Sequence, residues 1–178
     1  SGSEGVLARY KAEVLNEFVA RHGIERVVEY GCGDGQQLAL ANYPRYLGID
    51  VSPTAVQLCR TRFAGQPGRE FRLADPAQPT ALDEFAAPDL VLSLDVIYHL
   101  VEDATYQRYL REVFGAGGRH VVVYASNDDR PAPVKHVRHR RFVDDAAREF
   151  PAYRLVGHRP NPHRGLSFAD FHFYERAG

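Results

Sequence analysis

Hydrophobic and polar residues follow two different periods along the first two thirds of the chain. From residue 4 to residue 22, apolar side chains recur at steps of three and four, which predicts an amphipathic helix ending at Gly23. Short apolar runs then occur five times, with helical patterns between them. This alternation of strand and helix predicts a parallel sheet covered by helices. The five predicted strands are 26–30, 46–50, 68–73, 89–94 and 120–125.

The segments between these strands carry ordinary helix start and stop signals. A short helix is predicted to begin near Gln36 and to end before Pro44. Ser52 as N-cap and Pro53 at the first helical position predict a second helix. The third, over 101–114, shows one continuous apolar face and ends at a glycine-rich stretch.

The last third of the chain departs from this alternation. Residues 142–150 are predicted to be helical, whereas 153–158 and 168–174 have the pattern of two strands. The loop between them is rich in Pro, Gly and Asn and is too short for a parallel crossover, so the strands must form an antiparallel hairpin. His172 lies in the second of these strands, where we expect it to face solvent.

Composition favours one soluble globular domain over residues 1–178. The chain is 44% hydrophobic and 25% charged, with a formal net charge of -1. A chain of this length buries enough surface to fold without a metal or a disulfide. No apolar run approaches the roughly 20 residues of a membrane-spanning helix. The near-neutral charge provides no electrostatic basis for nonspecific nucleic-acid binding, which weakens that class without removing it.

The N-terminus and the cysteines bear on the origin of the chain. Residues 1–3, Ser-Gly-Ser, are typical of an expression-vector remnant, and the chain contains no Met. A domain cut from a longer multidomain protein is therefore one interpretation. Cys32 and Cys59 are too few for a disulfide framework. We expect a reducing, cytoplasmic location.

The most informative stretch follows the first predicted strand. Glu29, Gly31, Gly33 and Gly35 stand at alternate positions there. Glycines let the backbone turn sharply and let a ligand approach the main chain, although a glycine loop alone also fits an ordinary tight turn. Asp50 ends the second predicted strand, where a carboxylate can accept hydrogen bonds from both ribose hydroxyls. Together these features predict a site for a nucleoside-containing cofactor.

The spacing of the glycines distinguishes two kinds of cofactor. The dinucleotide fingerprint G-x-G-x-x-G would need a glycine where the chain has Gln36. The order acid-x-Gly-x-Gly-x-Gly instead resembles the class I S-adenosylmethionine-dependent methyltransferases, and the resemblance extends over about residues 10–174. It implies S-adenosylmethionine as cofactor and an α/β, Rossmann-like fold. In that fold a seven-stranded, mostly parallel sheet carries helices on both faces and a C-terminal antiparallel hairpin.

The resemblance also implies roles for individual residues. Glu29 would help to hold the methionine end of the cofactor, Asp50 its ribose, and Asp75 or its neighbours the adenine amino group. Asp75 also fits an ordinary turn, and Cys32 fits a small residue that fills space. The expected cofactor-binding residues are Glu29, Gly31, Cys32, Gly33, Asp50, Val51, Asp75 and Leu94.

Residues 93–100 resemble the segment after the fourth strand in small-molecule methyltransferases. The Asn/Asp-Pro-Pro-aromatic signature of enzymes that methylate base amino groups is missing, since no proline follows Asp95. With residues 10–16 and 136–140, the segment also resembles bacterial methyltransferases of surface-polysaccharide assembly. The expected acceptor is therefore a hydroxyl of a small molecule or glycan.

A hydroxyl acceptor has to lose its proton as it attacks. His99 is the expected general base because an imidazole accepts protons near neutral pH, although a helix cap or a core histidine also fits. Asp95 would orient His99 or contact the substrate. We expect residues 126–150 to form a substrate-side insertion in which 135–141 holds a carboxylate or phosphate, with a solvated loop as the plainer interpretation. The expected substrate-binding residues are Tyr98, which also fits simple packing, and His136, Arg138, His139 and Arg140.

A divalent metal is a weaker candidate, expected where the fourth and fifth predicted strands end. Asp95 follows the fourth strand and Asn127 and Asp128 follow the fifth, so one cation could reach all three, as in metal-dependent catechol O-methyltransferases. A polar turn is the alternative. Three other functions stay open: an RNA-modifying methyltransferase, a non-catalytic S-adenosylmethionine-binding module of a longer enzyme, and a nicotinamide-dependent oxidoreductase, which Gln36 disfavours.

Overall fold

The computed structural model describes residues 5–132 and 134–178. The expected vector remnant at residues 1–3 lies outside them. The described residues form seven strands and four α-helices. In chain order these are α1 (Gly5–Arg21), β1 (Arg26–Tyr30), β2 (Arg45–Asp50), α2 (Pro53–Arg62), β3 (Arg69–Leu73), β4 (Leu90–Leu94), α3 (Asp103–Gly115), β5 (His120–Ala125), α4 (Phe142–Glu149), β6 (Tyr153–Arg159) and β7 (Asp170–Arg176). Across the described ranges, no helix is long and apolar enough to cross a membrane.

All seven strands belong to one sheet, in the order β3-β2-β1-β4-β5-β7-β6. The first five strands run parallel to one another, and the two pairings of β7 are antiparallel. The predicted α/β architecture with a C-terminal hairpin is thus confirmed. The chain builds outward from β1 to β3 and then returns to place β4 on the other side of β1. Ligands of such open sheets bind at this reversal, outside the carboxyl ends of the strands.

The core lies on the central strands. Every residue of β4 and of β5 is buried, as expected for parallel strands that are covered on both faces. The helix α3 packs Tyr106, Leu110 and Val113 into the same core. Because burial on both faces gives an uninterrupted apolar run, the sequence placed these strands to within one residue.

The helix expected after the glycine loop is not formed. Between Gly35 and Pro44, all of which the structure describes, the chain makes a single 3-10 turn at Leu38–Leu40. Within that turn only Leu38 is buried. So short a segment between a glycine and a proline has no extended apolar face with which to stabilise further turns. The glycine loop therefore leads into a turn and not into an α-helix N-terminus.

The expectation that His172 faces solvent was wrong. Its side chain is only 4% exposed, because β7 lies inside the sheet between β5 and β6. The imidazole packs edge-on against Phe142 of α4, with 4.9 Å between ring centroids. Burial lowers the pKa of His172 to about 4, so this histidine is neutral in the folded protein near neutral pH.

Candidate functional site

A cavity of about 320 Å³ opens where the strand order reverses. Segments that follow β1, β2, β3 and β4 form its wall together with α3. Gly31, Asp50 and Asp75, expected to bind the cofactor, line it alongside Asp95 and His99, expected to act in catalysis. Its volume is within the range of small-molecule sites. The two groups of predicted residues therefore face one common space.

The glycine loop has the backbone that its spacing implies. Gly31, Gly33 and Gly35 have φ angles of 78°, 59° and 78°, in the left-handed region that favours glycine. A Cβ at Gly31 would collide with the side chain of Val96, which also lines the cavity. A Cβ at Gly33 would meet open space. Gly31 is thus required by packing as well as by its backbone angle.

Asp50 ties this loop to the next helix. Its Oδ2 accepts a hydrogen bond from the N–H of Gly33, and its Oδ1 accepts one from the N–H of Ser52, both at 2.9 Å. An ionised carboxylate offers about four acceptor positions. Two therefore stay available for the vicinal hydroxyls of a ribose in the cavity. These features fit a nucleoside-containing ligand.

Glu29 lies apart from the residues that line the cavity. Its side chain is 4% exposed, and its Oε2 accepts a 2.6 Å hydrogen bond from the Tyr46 hydroxyl. Burial raises the pKa of Glu29 to about 7, although Tyr46 and the positive charge of Lys11 counteract the rise. The expected role of Glu29 at the methionine end of the cofactor stays a prediction.

The other expected cofactor residues divide between the cavity wall and the core. Val51 lines the cavity and is largely exposed. Leu94 and Cys32 are buried members of the hydrophobic core. The thiol of Cys32 packs against Gly48, where a side chain would overlap it, and the thiols of Cys32 and Cys59 both donate to the carbonyl oxygen of Gly33. Its packing fits the alternative interpretation of Cys32 as a small space-filling residue.

Asp95 follows β4 with a φ angle of 61°, an uncommon conformation for a residue with a side chain. Its Oδ2 lies 2.6 Å from Nζ of Lys11, and its Oδ1 accepts a 2.6 Å hydrogen bond from the Tyr98 hydroxyl. Lys11 and Tyr98 thus each contact one oxygen of the Asp95 carboxylate. Asp95 lines the cavity, whereas Tyr98 is buried behind it. The expected roles of Asp95, in orienting His99 or in contacting the substrate, and of Tyr98, in binding the substrate, stay predictions.

Lys11 was not among the residues expected at the site. It lies on α1 and is only 1% exposed, four residues from Leu7 and four from Leu15, both buried. Residues four apart lie on the same helix face. A lysine at a core-facing position was therefore the available sequence signal, and the amphipathic pattern alone did not reveal what it contacts.

His99 lies on a 3-10 turn, Ile97–His99, and is exposed on the cavity wall. Its Nδ1 is 3.5 Å from the carbonyl oxygen of His136. The two imidazole rings are nearly parallel, with 6.3 Å between centroids. The structure thus brings together the expected base and one of the expected substrate-binding residues.

The other expected substrate-binding residues of the segment 135–141 hold that segment against the rest of the protein. Arg138 and Arg140 both pair with Asp103 at the start of α3. Arg140 is buried, donates to two backbone carbonyls and stacks over the Tyr106 ring at 4.3 Å. His139 is also buried, with Nδ1 2.7 Å from the Ser126 hydroxyl. In this structure these three side chains stabilise the loop itself.

The three candidate metal ligands each have protein partners. Lys11 and Tyr98 occupy the carboxylate of Asp95. Asn127 accepts a hydrogen bond from the backbone of Val143 through its side-chain oxygen, and Asp128 pairs with a neighbouring arginine. Throughout residues 5–132 and 134–178, no group of three or more His, Cys, Asp or Glu side chains could hold a metal ion. Of the three candidates, only Asp95 has a lysine ammonium beside it.

Comparison with known proteins supports the same type of site. Residues 28–119, more than half of the chain, match a family model described as a methyltransferase domain. No curated protein matches the sequence. Among solved structures, N-methyltransferase NodS from Bradyrhizobium japonicum WM9 shares 18% identity and a TM-score of 0.76, with 96% of each chain covered.

Two further structures show the same fold. The methyltransferase domain of bacterial CtHen1-C is 14% identical, with a TM-score of 0.74 over 94% of this chain and 97% of that one. Magnesium protoporphyrin IX methyltransferase ChlM from Synechocystis PCC 6803, solved with bound SAH, is 15% identical, with a TM-score of 0.73 over 95% and 83%. At these identities the likeness concerns the fold alone, and their names differ in the acceptor.

Proposed function

The chain belongs to the methyltransferase domain family, whose methyl donor is S-adenosylmethionine, and from this membership we propose that it methylates a hydroxyl oxygen of a small molecule or glycan. The position of His99 carries the proposal. Its imidazole lines the cavity that Gly31 and Asp50 also line. Asp95, the other residue expected to act in catalysis, already contacts a lysine and a tyrosine through its two oxygens.

Each side of the cavity has a separate task in this proposal. Gly31 lets the donor approach the backbone, Asp50 accepts hydrogen bonds from the ribose, and Asp75 borders the base. When bound, S-adenosylmethionine supplies an electrophilic methyl group, so the protein has mainly to align the acceptor with it. The carbonyl of His136 beside Nδ1 of His99 favours the tautomer protonated there. Nε2 is then the atom that accepts the proton of the acceptor hydroxyl.

The charges around the cavity argue against the RNA alternative. RNA binding would be favoured by a continuous basic face on the segment 135–141. Arg138 and Arg140 instead pair with Asp103, and Arg141 pairs with Asp144. Filter binding of single-stranded RNA that weakens steeply with added salt would contradict this argument.

Replacement of His99 tests the proposal. His99→Ala should lower kcat for hydroxyl acceptors by about 10² to 10⁴ while leaving donor affinity, measured by calorimetry, unchanged. His22→Ala is a matched control, since His22 is exposed at the end of α1, outside the cavity lining.

Phenols, sugars and amines of similar size provide the acceptor panel. Methylation of amines and not of hydroxyls would refute the oxygen assignment. An unchanged rate in His99→Ala would refute the assignment of the base. Donor binding without turnover on any acceptor of the panel would favour the non-catalytic module over this proposal.

A further inference from the structure

Lys11 is a buried cation that the proposed proton transfer does not use. Its side chain is 1% exposed on a helix face that otherwise carries small and apolar residues. The Nζ atom forms the 2.6 Å ion pair with Asp95 and lies 5.4 Å from the centroid of the Tyr124 ring. An apolar residue at this position would avoid the cost of desolvating an ammonium group. The presence of the lysine therefore calls for a role connected with Asp95.

Asp95 is held in place from several sides. Tyr98 donates to one carboxylate oxygen and Lys11 to the other. The backbone N–H of Asp95 donates to the carbonyl of Tyr124 at 2.9 Å. The side chain nevertheless stays 20% exposed and lines the cavity. The negative charge of Asp95 is therefore held on the cavity wall, where it would face a bound ligand.

We infer that Lys11 is a positioning residue that masks the negative charge of Asp95 toward the cationic methyl donor. The sulfonium of S-adenosylmethionine carries a positive charge that its demethylated product lacks. A bare carboxylate on the cavity wall would stabilise the charged donor more than a transition state in which that charge is already dispersing. Stabilisation of the ground state alone raises the barrier. With Lys11 in place, the wall presents a nearly neutral pair.

This inference rests on donor binding in the cavity, the first part of the proposed function, and not on the acceptor or on His99. It predicts in which direction each substitution changes the ratio of donor affinity to product affinity, whereas a role in packing alone predicts no change in that ratio. Removal of the lysine exposes a negative charge and should favour the cationic donor over the neutral product. Removal of the aspartate charge exposes a positive charge and should have the opposite effect.

Calorimetry with S-adenosylmethionine and with its demethylated product measures this ratio of affinities in each variant. Lys11→Met should raise the ratio of donor affinity to product affinity by about five- to tenfold, as expected for one unit charge in a partly hydrated site. Asp95→Asn should lower that ratio by a similar factor while keeping polar contacts to both neighbours. The double variant should return to within about twofold of wild type. Arg21→Met, which removes an exposed cation of the same helix, should leave the ratio unchanged.

A second carboxylate requires a further control. The charge of Lys11 lowers the pKa of Glu29, so its removal also alters that group. Repeating the series in a Glu29→Gln background isolates Asp95. Equal changes in both affinities for each single variant would show that Lys11 serves the fold alone and would overturn the inference. If Lys11→Met does not fold, Asp95→Asn still decides, because a ratio that is unchanged or raised contradicts charge masking.

Discussion

Replacement of Glu29 by Gln should change the way in which stability depends on pH. In the folded protein, burial raises the pKa of Glu29 from 4.5 to about 7. Between these values the native state keeps a proton that the unfolded chain releases. The free energy of unfolding therefore falls as pH rises through this window, and the loss is complete above pH 7. Glutamine keeps an oxygen that can accept the hydrogen bond of Tyr46 and has no proton to lose.

The size of the effect follows from the shift. From 4.5 to 7 is 2.5 pH units, and at about 1.36 kcal/mol per unit this amounts to about 3 kcal/mol. His172 acts in the opposite direction, because its pKa is lowered from 6.5 to about 4 and it stabilises the fold as pH rises through that window. The wild-type curve alone would therefore conceal the contribution of Glu29. The difference between the variant and the wild type isolates it.

Urea denaturation from pH 5 to pH 8.5 measures this difference. The stability of Glu29→Gln relative to wild type should improve by about 2.5 kcal/mol across that range, because a small part of the effect already occurs below pH 5. This change should appear even if the unpaired amide N–H groups of the new side chain lower its stability at every pH. Glu13→Gln, at an exposed position of α1, should follow the wild-type curve. A difference between Glu29→Gln and wild type that does not vary with pH would refute the argument that a buried, protonated carboxyl is present.

Two further changes test the glycine loop. Asp50→Ala should weaken donor binding by about 10- to 150-fold, because hydrogen bonds to a charged group contribute roughly 1.5 to 3 kcal/mol. It should also lower the melting temperature, since the same carboxylate accepts hydrogen bonds from the N–H groups of Gly33 and Ser52. Unchanged donor affinity in calorimetry would contradict the ribose role of Asp50. Gly31→Ala should lower the melting temperature more than Gly33→Ala, because only the former collides with Val96, and equal losses would show that the collision relaxes.

Local signals predicted the elements well where a single segment determines them. The strands β1 and β5 begin and end at the predicted residues. The Ser52 hydroxyl accepts a hydrogen bond from the N–H of Ala55, as its N-cap role requires. Such features depend on a few neighbouring residues. For the same reason, the glycine loop and the acid that ends β2 were sufficient to identify residues that line the cavity.

Prediction failed where the outcome depends on neighbours in space. His172 follows an alternating pattern, but burial on its face depends on the position of β7 between two strands and under α4. The segment after Gly35 has helix-forming residues but no extended face to bury, so it makes only a 3-10 turn. Sheet order and the packing of helices cannot be derived from the period of one segment.

Asp95 shows how such a distant contact changes the chemistry assigned to a residue. Its position after β4 correctly placed it at the cavity, where a carboxylate could orient a base or bind a cation. The partner that decides between these roles lies 84 residues earlier, on α1. Once the ammonium of Lys11 and the hydroxyl of Tyr98 engage both oxygens, neither original role is the simplest one. What the pair still controls is the charge at the cavity wall, and for a reaction that begins with a cation and ends without one, that charge acts on the barrier itself.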